Sequence, residues 1–174
     1  MLFRSVGRLS RLRAAMDWLV RRGCRRLAVL GWDGVDAQSL EFKAFVRRAA
    51  AGLGERVKLP DAWIRGDLHP SRPGTGWEEF REIWIAHREK PDGVVVADDC
   101  LLSDIALALR ELRVSVPEQV RVAALTNAGA SPAVPIPVAR VEIDPAEIAK
   151  SLGGMLLELI AGRTPPVSHI AVEH

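Results

Sequence analysis

Apolar residues along this chain fall into two alternating rhythms, one of helical spacing and one of short unbroken runs. Leu9, Leu12, Met16, Leu19 and Val20 recur at helical intervals with arginines between them, which predicts an amphipathic helix ended by Gly23. The run from Arg26 to Gly31 (RLAVLG) is short, apolar and closed by glycine, as a buried strand is. Leu40, Phe42, Phe45, Val46 and Ala49 return to the helical spacing, with Asp36 or Ser39 as the cap and Gly52 and Gly54 as the stop. The cycle then repeats. Ala62–Ile64 reads as a strand, His69–Gly76 as a loop, and Trp77–Arg88 as a helix with Phe80, Ile83 and Trp84 on one side. Val94–Ala97 is the clearest strand, and Asp99 is placed to cap a helix over Leu101–Leu112. Val120–Leu125 is another strand; the proline-rich stretch Ala128–Pro137 is a loop, and Ala139–Ile143 is extended. Asp144, Pro145 and Glu147 occupy the N-cap, first and third positions of a helix running to Ile160, and Val167–Val172 closes the chain as a strand.

Strands alternating with helices of this length imply βαβ units, hence an α/β fold with a parallel sheet flanked by helices on both faces. Ligands of such sheets lie beyond the carboxyl ends of the strands. The loops at 31–39, 66–76, 98–101 and 126–137 are therefore the places to look for a site. The 174 residues suffice for one domain with a real core, or for two small lobes.

Composition narrows the function more than the fold. A charged fraction of 26% with a formal charge of +2 points to no strongly polyanionic partner. The charge is uneven, however: Arg4, Arg8, Arg11, Arg13, Arg21, Arg22, Arg25 and Arg26 stand against a lone Asp17. Such a run either touches phosphates or anionic lipid or is the solvated face of a helix, and the last is the commoner case. Cys24 and Cys100 lie far apart with no CxxC spacing, which argues against a disulfide framework or a zinc site. The stretch Met1–Arg13 has no continuous apolar core and makes a poor signal peptide, and no window approaches a membrane span. The chain reads as cytoplasmic, with no membrane partner.

No motif for catalysis stands out. Gly31-Trp32-Asp33-Gly34 is not a dinucleotide fingerprint, and the phosphate-loop pattern GxxxxGK[ST] and the GxSxG elbow are missing. The four histidines show no metal-ligand spacing. Neither a metal nor a cofactor is expected. Asp98 and Asp99 follow a strand directly; such a pair binds Mg²⁺, accepts a phosphoryl group, accepts hydrogen bonds from sugar hydroxyls, or caps the next helix. Trp32 and Trp63 lie beside loops at strand ends, where an aromatic stacks on a sugar or base or closes the mouth of the core.

Five phrases, in order, resemble the LacI/GalR family of bacterial transcription regulators: Ala15–Gly31, Pro91–Asp99, Ala106–Val122, Ala139–Ala149 and Met155–Gly162 followed by Pro165-Pro166. The resemblance implies a type I periplasmic-binding-protein-like lobe, without a DNA-binding headpiece and without much of the first lobe. It implies that residues 9–138 and 166–174 form the C-terminal lobe of the effector domain, and that 139–165 cross to the other lobe. It implies a homodimer that is no enzyme, binds a small sugar-like or nucleoside-like effector, and reaches DNA only through a headpiece. A transport-type solute receptor of the same fold is the alternative, and a Mg²⁺-dependent enzyme using Asp98 and Asp99 a weaker one. Carried over by position, Asp98 stands at a polar ligand contact and Leu68 near an often aromatic cleft position. Glu41 replaces an arginine that grips sugar hydroxyls. Thr126, with Asn127 beside it, replaces a ligand-binding aspartate. Those two losses remove charge-assisted hydrogen bonds of about 1.5–3 kcal/mol each and put an ordinary sugar effector in doubt.

Overall fold

The computed structural model describes residues 6–32, 39–54, 57–66, 74–130 and 132–163. In these, helix α1 (Val6–Arg21) leads into strand β1 (Leu27–Leu30), helix α2 (Ser39–Ala50) and the two-residue strand β2 (Ile64–Arg65). Helix α3 (Thr75–Ala86), strand β3 (Gly93–Val96), helix α4 (Leu102–Glu111), strand β4 (Arg121–Asn127), strand β5 (Val138–Ile143) and helix α5 (Pro145–Ile160) complete them. The strands form one sheet in the order β2-β1-β3-β4-β5, and every pairing is parallel.

Both faces of the sheet are covered, which is why β1 and β3 are apolar at every position. On one face Leu12, Met16 and Leu19 of α1 and Phe42 and Val46 of α2 pack on Leu27, Val29, Val95, Ala123 and Leu125. On the other, Phe80 and Ile83 of α3 and Leu102, Ile105 and Leu109 of α4 pack on Ala28, Leu30, Val94, Val96, Val122 and Ala124. The alternation of odd and even residues between the two clusters is the period-two signature of a strand.

Several expected boundaries move. Ala62–Ile64 is not a strand: residues 61–63 make a 3-10 turn, with Trp63 N–H donating to the Pro60 carbonyl at 2.9 Å, and pairing begins only at Ile64. Pro60 fixes an extended backbone immediately before Asp61, so the turn precedes the strand. β4 runs two residues past its apolar stretch, to Asn127. Residues 139–143 lie in this sheet, paired with β4 from Val122↔Val138 to Asn127↔Ile143; the chain leaves it at Asp144. The expected strand at 167–172 lies outside the described residues.

α5 differs from the other helices. Asp144 caps it, accepting from Ala146 N–H at 2.8 Å, and Pro145 opens it, as its sequence requires. Yet none of its residues is buried, and Leu156, Leu157, Leu159 and Ile160 are more than half exposed.

Candidate functional site at the carboxyl ends of the strands

The strand order reverses between β1 and β3, since β2 lies to one side of β1 and β3 to the other. Crossovers leave to opposite faces there, with α2 on one face and α3 on the other, which is the position at which sheets of this kind take ligands, beyond the carboxyl ends of the strands. Ala97 N–H donates to the Leu30 carbonyl at 2.7 Å, which carries the register past the strands and sets Trp32 beside Asp98. One strand further, Val96↔Ala124 sets Asp98 and Asp99 beside Thr126 and Asn127. Four of the six residues named from the sequence thus meet at one edge.

Their bonding differs from the expectation. Asp98, not Asp99, is the cap: its Oδ1 accepts from Cys100 N–H at 3.2 Å and starts a 3-10 turn over Asp99–Leu101 that feeds α4. Asp99 reaches sideways, where its Oδ2 accepts from Asn127 N–H at 3.0 Å and from Asn127 Nδ2 at 3.3 Å. The physical reason is that β3 ends at Val96, so Asp98 still has extended backbone (φ −149°, ψ 127°), the conformation an N-cap needs. Asp99 is already inside the turn and free to tie the tip of β4 to the tip of β3.

Trp32 is half-buried, and its carbonyl accepts from Arg8 Nη2 at 2.7 Å. Glu41 is exposed on the first turn of α2, which begins at this same edge. Thr126 is 1% exposed, and its hydroxyl has no hydrogen-bond partner among the described residues. Asn127 is exposed. Leu68 lies outside the described residues.

Arg11, one of the arginines of the charged run, also belongs to this edge. Its Nη2 donates to the carbonyls of Thr126, at 3.1 Å, and Val141, at 3.4 Å, so one guanidinium spans the ends of β4 and β5. Burial lowers its pKa; Asp99 opposes the shift and Arg8 adds to it. The arginine run at the chain start is therefore not simply a solvated helix face. The signal was available in the spacing: Arg8 and Arg11, three apart on the first turns of α1, share one side of the helix.

Cys100 sits on this rim. Burial, a hydrogen bond to Asp98, and the charges of Asp98, Asp99 and Asp104 push its thiol up to about 12. Among the described residues no three His, Cys, Asp or Glu side chains gather closely enough to hold a metal ion. No helix among them is long and apolar enough to cross a membrane. The rim offers carboxylate and amide groups that bind hydroxyls, beside an aromatic ring.

A family model for the periplasmic binding protein-like domain matches residues 16–173. The chain belongs to that family. This periplasmic-binding-protein-like lobe matches no curated protein, but it superposes on solved regulators. One is the transcriptional repressor ascG of Escherichia coli (TM-score 0.66, 25% identity), covering 90% of this chain and 55% of that one. A second is a sugar-binding LacI-family transcriptional regulator of Escherichia coli complexed with phosphate (TM-score 0.71, 24% identity), covering 93% and 57%. A third is the transcriptional regulator CelR in complex with cellobiose (TM-score 0.78, 20% identity), covering 95% and 49%. The lobe spans about half the length of these proteins. It shares the type I fold with them.

Proposed function

We propose that this lobe is the C-terminal half of the effector-sensing domain of a LacI-type transcription regulator. The observation that carries the proposal is the rim at the carboxyl ends of β3 and β4, where Asp98, Asp99 and Asn127 present carboxylate and amide groups beside Trp32. This chemistry suits a small polyhydroxylated solute, sugar-like or nucleoside-like: carboxylate and amide oxygens accept from hydroxyls, and an indole covers the apolar side of a ring. The neighbours bound to cellobiose and to phosphate support a solute-binding role. The lobe does no chemistry. The solute favours one arrangement of this lobe against a second, and that choice alters DNA binding by a headpiece outside these residues.

We assign residues up to Ile143 to this lobe, a division that their pairing with β4 supports. The segment from Asp144 through α5 crosses to the second lobe, which accounts for its exposed apolar side. The regulator works as a homodimer in the cytoplasm.

Thermal denaturation of the chain with millimolar cellobiose, lactose, ribose, adenosine or MgCl2 tests the site. One of the sugars or the nucleoside raises Tm, and the rise disappears in Asp98→Ala and in Asn127→Ala. Stabilisation by Mg²⁺ alone, lost in Asp98→Ala, would replace this reading with an enzymatic one. A shift unchanged in both variants would move the site elsewhere.

A further inference from the structure

We infer that Arg11 is a positioning residue that couples the rim to the point where β5 leaves the sheet, so that events at Asp99 decide how firmly residues 141–144 are held. The inference rests on the reading of the rim as a solute site and extends it to the regulation of that site. Arg11 lies on the second turn of α1, the helix that packs against both β4 and β5. Its guanidinium is partly buried. One nitrogen, Nη2, donates to the Thr126 carbonyl of β4 at 3.1 Å and to the Val141 carbonyl of β5 at 3.4 Å. The Nε of the same group is buried and has no hydrogen-bond partner among the described residues. Carbonyls bring only partial charge, and a cation drawn out of water needs a full one nearby. Asp99 supplies it: its charge favours the guanidinium against the burial that lowers the Arg11 pKa, while Arg8 works the other way.

The same carboxylate anchors the strand tips. Asp99 Oδ2 accepts from Asn127 N–H at 3.0 Å and from Asn127 Nδ2 at 3.3 Å. Asn127 is the register partner of Ile143, and Ala128 N–H next to it donates to the Ile143 carbonyl at 2.9 Å. One residue on, Asp144 Oδ1 accepts from Ala146 N–H at 2.8 Å and starts α5. Two routes therefore run from Asp99 to the exit of β5. The first is electrostatic and passes through Arg11 to Val141. The second is hydrogen-bonded and passes through Asn127 and Ala128 to Ile143. Both end on carbonyls just before the Asp144 cap. None of the α5 residues is buried, so this junction, rather than packing on the sheet, sets the direction in which the helix departs. A solute hydroxyl that donates to Asp99 shares the carboxylate with Asn127 and draws on the charge that balances Arg11, which alters both tethers at once.

Hydrogen exchange of the full chain, followed by mass spectrometry, tests the coupling with no solute added. Asp99→Asn keeps the shape of the side chain and removes its charge. Arg11→Met keeps the length of the stem and removes the donors. Each alone speeds exchange in the peptide 138–148 about tenfold, the scale of one hydrogen bond to a charged group. Peptides covering β1 and β3 exchange as before. The double variant is no faster than the faster single one, because both changes cut the same connection. Arg11→Lys, which keeps a cation at this place, restores most of the protection. Arg11→Gln serves if Arg11→Met fails to fold. A double variant about a hundredfold faster, the additive result, overturns the proposal. So does a rise shared by β1 and β3, which would make Arg11 a support for the fold at large. The solute reading stands or falls apart from this result. Coupling without any sugar or nucleoside raising Tm would remove the solute and leave the connection; a rise in Tm with additive effects would do the reverse.

Discussion

A single residue of backbone decides which of two adjacent carboxylates does what. Asp98 is still extended and caps; Asp99 is one step into the turn and crosses to Asn127. The sequence placed the cap at Asp99 because the turn between β3 and α4 leaves no mark on the hydrophobic pattern. The consequence for chemistry falls on Cys100, whose thiol accumulates the charges of three aspartates. With its pKa raised to about 12, against about 8.5 for a free thiol, Cys100 stays protonated throughout the neutral range. At pH 8 its thiolate fraction is lower by about three orders of magnitude, partly offset by the greater nucleophilicity of a more basic thiolate. Iodoacetamide should therefore modify Cys100 roughly a hundredfold more slowly than free cysteine, the rate rising tenfold per pH unit up to pH 11. Asp98→Asn should speed it. Mass spectrometry of the native chain separates this thiol from the buried Cys24, and a rate equal to that of free cysteine would mean the aspartates do not surround it.

At the scale of elements, the fold was legible where burial is two-sided. The apolar runs of β1 and β3 and the stripes of α1, α2 and α4 fall in the core as the periodicity predicts. What was not legible depends on contacts from elsewhere in the chain. Thr126 and Asn127 read as loop because they are polar, yet they are strand because β5 pairs with them and Arg11 covers the Thr126 carbonyl. The tips of β1 and β2 show the same dependence in a glycine pair. A Cβ on Gly66 would lie 2.5 Å from Phe42, and one on Gly31 would lie 2.8 Å from the same ring. The glycines ending these strands thus make room for the ring through which α2 enters the core, and so set where α2 starts and where Glu41 is presented. Gly31→Ala, whose new methyl would meet the tip of the ring (Cζ at 2.8 Å, Cε2 at 3.1 Å), should destabilise the chain by about 1–3 kcal/mol. Phe42→Leu alone should also destabilise it, through the lost packing. In the double variant the two costs should fall well short of additive. Urea denaturation of the four proteins measures the coupling; full additivity would show that the ring and the glycine do not share this space.

The whole molecule poses a problem that α5 makes explicit. Its apolar arc, from Leu152 through Leu156 and Leu159 to Ile160, is exposed over a helix of 16 residues. The other helices each spend their apolar stripe on the sheet, whereas this one contributes no buried residue. A contiguous apolar strip of that length is seldom left in water. In the regulator proposed above, a second lobe would take it. In a solution of these 174 residues alone, the source of matching apolar surface is another copy, and a two-fold pairing of α5 against α5 satisfies both at once. Light scattering at high concentration should then give a mass near twice 19.0 kDa, falling toward one chain on dilution. Leu156→Glu with Leu159→Glu should hold the chain monomeric at every concentration, with the Tm of the unaltered chain at high dilution, because neither side chain supports the sheet. A monomer at high concentration in the unaltered chain would mean that α5 folds back on its own lobe. A dimer surviving the double change would place the pairing on the α3–α4 side, where Ile85 and Leu107 are also exposed.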